Sequence, residues 1–223
     1  MAYFFADVIG FDSELRLSVA GHDFSFLFYA GLFLGVGEVA NMIGVALTVG
    51  LARCFGKKST FIGVNVCLVV LSVLFFFIPV SPTGFWLMLF MQVAISLLTG
   101  IMSPLVWSMY ADVSDYAELR YKTASMGLIF SSSSMAQKFG GAIGGAAVLW
   151  LLGACGYIPR TDEQTLSQAF IQQPESALRC LWYLMSFIPA AVALLAAAVA
   201  SFYPLTTGSV EAINRELREE RKL

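Results

Sequence analysis

The chain has 223 residues, 58% of them hydrophobic and 13% charged, with a formal net charge of −2 and a mean hydropathy of +0.78. A soluble globular domain carries roughly a quarter charged residues, so the composition excludes one and points to an all-α protein that crosses the membrane several times. The slightly negative balance argues against nucleic acid as a partner.

In chain order, residues 1–10 are apolar but too short to span a bilayer, which needs about 20 residues. They lack the basic start and small-residue cleavage site of a secretory signal. They look like the end of a helix whose beginning is missing, which points to a piece of a longer protein. Five full spans follow, at 24–51, 59–78, 85–110, 126–152 and 178–203, so residues 1–203 are expected to form one transmembrane bundle. Each is long enough to cross with some tilt. The connections are short except for 153–177, which is polar and carries Pro159 and Pro174. Residues 204–223 form a tail in which Val210, Ile213 and Leu217 share one helical face, so it is either a helix lying on the membrane surface or on loops, or a solvated tail.

Basic residues orient the bundle. Arg53, Lys57 and Lys58 follow the first full span, Arg120 and Lys122 the third, and Arg215, Arg218, Arg221 and Lys222 the last. The opposite side holds Arg16, Arg160 and Arg179. The positive-inside rule then puts the larger group and the C-terminus in the cytoplasm, and Asp12–Asp23 and 153–177 outside.

Charge at membrane depth is costly and marks candidate function. Lys138 lies midway along its span. It shares a helical face with Ser131, Ser134, Gly141, Ala142 and Gly145, while Ser133, Gln137, Gly140 and Gly144 form a second face. Small residues four apart let helices approach closely, so one face is expected to pack and the other to line an aqueous path. The structural alternative is a lysine paired with a buried acid. Glu38 is the other midplane charge, with Asn41, Gly35 and Gly31 on its face. It either pairs with Lys138 or sits protonated and hydrogen-bonded to a neighbouring helix. Lys138, Gln137, Ser134, Glu38 and Asn41 thus form the candidate substrate and cation region, with Asp7 a weaker candidate.

Asp112, Asp115 and Glu118 end the third span. Carboxylates are unfavourable at a helix C-terminus, so a compensating partner is expected. Arg53, Lys57 and Lys58 end another span on the same side, with Arg120 and Lys122 nearby. An ion-pair network, made and broken as the protein opens, is one reading; a solvated loop is another. A divalent-metal site of the Asp-x-x-Asp kind, as in a lipid head-group transferase, is a third, but it wants acids on the facing loop, which is basic. Pro104 is expected to kink the third span. Trp107 and Tyr110 beyond it are either interface anchors or stacking partners for a sugar. Cys54, Cys67, Cys155 and Cys180 show no CxxC spacing, and His22 is the one histidine. No metal site follows from them, and the cysteines read as small apolar fillers.

Taken in order, four segments resemble the glycoside–pentoside–hexuronide:cation symporters. These are Ala111-Asp112-Val113-Ser114-Asp115-Tyr116-Ala117-Glu118; Gly127 through Ser131; Ala136-Gln137-Lys138 with Gly140-Gly141 and Gly144-Gly145; and Gly153-Ala154-Cys155-Gly156-Tyr157. Arg53-Cys54-Phe55-Gly56-Lys57-Lys58 is similar to that family's basic loop after its eighth helix. The resemblance covers essentially the whole chain. It implies the C-terminal six-helix bundle of a major facilitator fold, its first helix incomplete, in the inner membrane. It implies uptake of a sugar or glycoside with Na⁺ or H⁺ by alternating access, with no other cofactor. It places Lys138 in the sugar and cation region, and Asp112, Asp115 and Glu118 in a cytoplasmic gate with Arg53, Lys57, Lys58 and Arg120. It also implies that the N-terminal bundle, which holds the family's principal cation-binding carboxylates, is not part of this sequence, and Glu38 lies outside the family pattern. A non-transporting membrane interaction module is the second reading, and the metal-dependent transferase the third.

Overall fold

The structure, a computed structural model, describes residues 18–19, 22–23, 26–78, 82–122, 126–159 and 173–220. The partial span at 1–10, Asp7, Arg16, Arg160, Arg221 and Lys222 lie outside the described residues. Six helices are described: α1 Phe26–Phe55, α2 Lys57–Phe76, α3 Pro82–Tyr121, α4 Met126–Ala154, α5 Glu175–Ser201 and α6 Thr207–Glu220. Two short strands, β1 Ser18–Val19 and β2 His22–Asp23, pair antiparallel ahead of them. α1 to α5 are each long and apolar enough to cross a membrane. The all-α membrane fold expected from composition is the fold observed.

The third span is longer than hydropathy alone suggests. α3 has 40 residues, roughly 60 Å at 1.5 Å per residue, about twice the ~30 Å hydrocarbon slab. The helix does not stop near Tyr110 but runs on through Asp112, Asp115 and Glu118 to Tyr121. This corrects the loop reading of the acidic stretch. The negative end of the helix dipole then falls on Arg120 and Lys122, where cations are favourable, and the acids lie inside the helix. Lys122 closes α3 in the left-handed region, at φ 52°, its N–H bonded to the Glu118 carbonyl at 2.9 Å. Pro104 sits within the helix and removes the bond to the Gly100 carbonyl without ending it.

The spans pack as two pairs. α1 lies along α3 and α2 along α5, and α2 meets α3 between the pairs. Without a hydrophobic drive inside lipid, small residues set such contacts. On α5 the buried stripe is Ser186, Ala190, Ala193, Ala197 and Ala200. Between α1 and α3 the contact is backbone on backbone: a β-carbon at Gly44 would collide with the Leu97 carbonyl, and one at Gly100 with the Asn41 carbonyl. Polar groups bind the same seam. Asn41 Nδ2 donates to the Ser96 carbonyl at 3.3 Å and to Thr99 Oγ1 at 3.4 Å, and Thr48 Oγ1 to the Ile101 carbonyl at 3.3 Å. The buried apolar residues form layers along the bundle. Phe33, Phe75, Phe85, Met88 and Leu181 lie at one end, Val64, Leu68, Ile101 and Ala193 in the middle, and Leu205, Ile213 and Leu217 at the other.

α4 is the exception. Residues 135–150 are exposed on every face, and nothing approaches within 4 Å of a β-carbon placed at Gly140, Gly141, Gly144 or Gly145. The close packing expected there is therefore not made among the described residues. α4 meets α3 and α5 only near its ends. Trp107 stacks on Phe130 at 5.6 Å and Tyr110 meets Trp107 edge-on at 5.7 Å. Of the two roles open to Trp107 and Tyr110, the structure adds a third: they form the α3–α4 contact.

Candidate functional site

Where α1 turns into α2, one residue does the work of a loop. Gly56 adopts φ +81°, and a β-carbon there would approach Thr207 Oγ1 to 2.5 Å. Only glycine fits a site that is both left-handed and closed by a neighbour. The turn brings Lys57 and Lys58 to the first turn of α2, opposite the acidic end of α3. Lys57 Nζ stands 2.7 Å from both carboxylate oxygens of Asp112. Asp112 keeps 7% of its side-chain surface exposed and Lys57 34%. Lys58 Nζ donates to the Ser201 and Tyr203 carbonyls, at 2.9 and 2.7 Å. A cation on the last carbonyls of α5 complements that helix's negative end. Tyr203 Oη donates to the Met109 carbonyl at 3.4 Å, so one side chain links the exit of α5 to α3.

The tail completes the arrangement. α6 lays Val210, Ile213 and Leu217 against Leu119 and Val113 of α3 and Leu205 of the linker. The solvated-tail reading is thereby corrected: the face legible in the sequence buries itself on the acidic end of α3. Thr206 starts α6 as a cap, its Oγ1 accepting from the Ser209 N–H at 3.4 Å while Ser209 Oγ accepts from the Thr206 N–H at 2.7 Å. A cavity of about 290 Å³ remains, lined by Arg53, Lys57, Lys58, Asp112, Tyr203 and Glu211 among others. Arg53 is exposed on its rim, Asp115 and Glu118 occupy the next two turns of α3, and Arg120 is exposed near the helix end. Because both Asp112 oxygens are on Lys57, a divalent cation there would have to displace it. Among the described residues no group of three or more His, Cys, Asp or Glu is placed to share a metal.

Burial, and after it the Asp112 carboxylate, pushes the Tyr203 phenol from an ordinary value of 10 up to about 12. A group with a raised folded-state pKa contributes stability that is intact below its unfolded value and lost as pH rises through the folded one. The Tyr203 contribution should therefore be intact and independent of pH below about 10, and be lost between about 10 and 12. Alkaline unfolding followed by circular dichroism should lose that component in Tyr203→Phe. An unchanged alkaline profile would contradict it.

The midplane candidates are dispersed. Glu38 and Lys138 are exposed on different helices, and among the described residues no ion pair joins them. Gln137 is exposed beside Lys138 and Ser134 half-buried. Asn41 departs from its expected place: its amide is committed to α3 rather than offered to a cavity. Between α3, α4 and α5 lies an apolar groove of about 880 Å³, lined by Val106, Tyr110, Ser132, Leu195, Val199 and Tyr203 among others. Tyr203 has a central place that sequence reading passed over, and Gly56 was read only as part of the basic segment Arg53–Lys58. A glycine between two spans and a tyrosine near a span end were the available signals.

Residues 1–207 match the family model described as MFS/sugar transport protein. An uncharacterized 29.9 kDa protein of Pseudescherichia vulneris is 32% identical over 77% of this chain and 58% of its own length. The putative glycoside/cation symporter YagG of Escherichia coli is 30% identical over 85% of this chain and 39% of its own. The inner membrane symporter YicJ of the same organism is 29% identical over the same shares, 85% and 39%. The chain thus spans less than two thirds of the length of these relatives. No solved structure matches it.

Proposed function

The chain belongs to the MFS/sugar transport protein family, consistent with its glycoside–pentoside–hexuronide:cation symporters, and from that premise we propose that it is the C-terminal half of a cation-coupled sugar or glycoside symporter working by alternating access. The relatives' names include a putative glycoside/cation symporter, a glucuronide carrier protein homolog, a putative sulfoquinovose importer and a putative 2,3-dihydroxypropane-1-sulfonate exporter. The observation that carries the reading is α4. Four spans bury small-residue faces on one another, while α4 leaves Gln137, Lys138 and four glycines uncovered. A lysine and close-approach glycines do not belong in lipid. In this proposal they face an aqueous path completed by an N-terminal bundle, with Na⁺ or H⁺ as the coupling ion. Ser134 and Glu38 flank the path, and Asn41 supports it from the α1–α3 seam.

At the other end, Lys57–Asp112, with Arg53, Lys58, Asp115, Glu118 and Arg120 around it, serves as the gate. The positive-inside bias supports placing this end and α6 in the cytoplasm, with the chain integral to the inner membrane. The test is counterflow of labelled glycosides into vesicles holding the full-length protein, with Na⁺ and pH varied. Cation-dependent exchange is expected. Lys138→Ala should reduce it by about tenfold or more, the effect of losing a charged hydrogen bond worth ~1.5 kcal/mol. Undiminished exchange in that variant would remove Lys138 from the site, and no exchange under any cation would remove the symporter reading.

A further inference from the structure

Two of the four cysteines meet at the end of the bundle opposite Lys57. α4 ends in a Schellman motif: Gly156 adopts φ +77°, its N–H bonds to the Gly153 carbonyl, and the Tyr157 N–H to the Leu152 carbonyl, both at 3.0 Å. This geometry fixes Cys155 as the C-cap of the helix, just past Ala154. From the other side, the Ser176 hydroxyl donates to the Cys155 carbonyl at 2.8 Å, and the Gln173 amide clamps the Ile158 backbone at 2.8 and 3.0 Å. The start of α5 is thereby tied to the end of α4. Cys180, one turn into α5, directs its Sγ to the Leu151 carbonyl at 3.8 Å, and the Cys155 N–H bonds to that same carbonyl at 3.0 Å. Cys155 packs against the buried cluster that holds Cys180, so the two side chains share one corner of the bundle.

We propose that Cys155 and Cys180 are a redox-active pair that closes into a disulfide, stapling the end of α4 to α5. Both line an open cavity of about 620 Å³ that also holds the Arg179–Glu175 ion pair, with room for a small disulfide oxidant. Cys155 is half-exposed and Cys180 buried, which assigns the order. The Cys155 thiolate attacks one sulfur of the oxidant, breaking its S–S bond and releasing one thiol. The Cys180 sulfur, giving up its proton, then attacks Cys155 and expels the second thiol. Two protein thiols are oxidised and one small disulfide is reduced to two thiols. The step suits an oxidising compartment. Its placement outside the cytoplasm rests on the orientation proposed above, while the pairing itself does not. Closed, the staple fixes one end of the helix that packs least.

The experiment treats the full-length protein, in intact cells and separately in inside-out vesicles, with oxidised glutathione. Remaining thiols are blocked with N-ethylmaleimide before denaturation and peptide mass mapping. The expected product is a Cys155–Cys180 linked peptide pair, absent in Cys155→Ser and reversed by dithiothreitol, with Cys54 and Cys67 alkylated throughout. Formation in intact cells supports both the pair and the orientation. Formation only in inside-out vesicles supports the pair and overturns the orientation. Maleimide on both Cys155 and Cys180 in oxidised wild-type protein, or a glutathione adduct on Cys155 that never resolves, overturns the pair.

Discussion

Leucine in place of Gly44 or Gly100 is expected to leave little folded protein, and alanine at either position to destabilise it by about 3 kcal/mol or more. The two glycines face each other across the α1–α3 crossing, and the atoms a β-carbon would meet are the Leu97 and Asn41 carbonyl oxygens. A side chain can swing aside, but a helical carbonyl moves only with its helix. Overpacking a flexible core costs about 1–3 kcal/mol, so a backbone collision belongs at or above that range, against total stabilities of about 5–15 kcal/mol. Separating the helices would also strain the Asn41 and Thr48 bonds along the same seam. Gly63→Ala on α2, with nothing within 4 Å of its β-carbon, should be neutral or stabilising by up to about 1 kcal/mol. Thermal unfolding in detergent, read by size-exclusion recovery, compares the three. Wild-type recovery of the Gly44 and Gly100 variants would mean the helices do not cross there.

The seam shows where sequence reading reached and where it stopped. Hydropathy located all five spans, and α4 begins at Met126 as expected and ends two residues beyond the expected 152. It misplaced the end of α3 because it measures what lipid tolerates, and a helix need not stop where lipid does. The glycine signal pointed to α4, where the spacing was most conspicuous. The close approach instead uses Gly44 on one helix and Gly100 on another, a pairing that only tertiary geometry reveals. Asn41 went to the midplane site because it shares a face with Glu38. Yet Gly37, Asn41, Gly44 and Thr48 recur at spacings of three and four, and that small and polar stripe is the one facing α3. The acidic and basic clusters were both legible, as was their common side. Which lysine takes which partner was not, because the single-residue turn at Gly56 decides it.

That partner choice sets the second large effect. Lys57→Met should destabilise more than Asp112→Asn, although the two break the same pair. With Lys57 gone, Asp112 keeps 7% of its side-chain surface exposed and remains a nearly buried carboxylate, while Lys58 is occupied by the carbonyls ending α5. Breaking a buried pair from one side costs about 3–5 kcal/mol. Lys57 is 34% exposed, so solvent screens part of the pair, and about 2–3 kcal/mol is expected. With Asp112→Asn the lysine can turn to water and the amide keeps the packing, so about 1 kcal/mol is expected. The double variant Lys57→Met/Asp112→Asn removes both charges and should be more stable than Lys57→Met alone. Unfolding in detergent checks that order, and equal losses in the two single variants would contradict it. Counterflow in the same proteins separates architecture from gating. If the pair is a gate contact, the double variant recovers stability while its exchange stays altered. If stability and exchange return together, Lys57–Asp112 is a structural clasp and the gate lies elsewhere among Arg53, Asp115, Glu118 and Arg120.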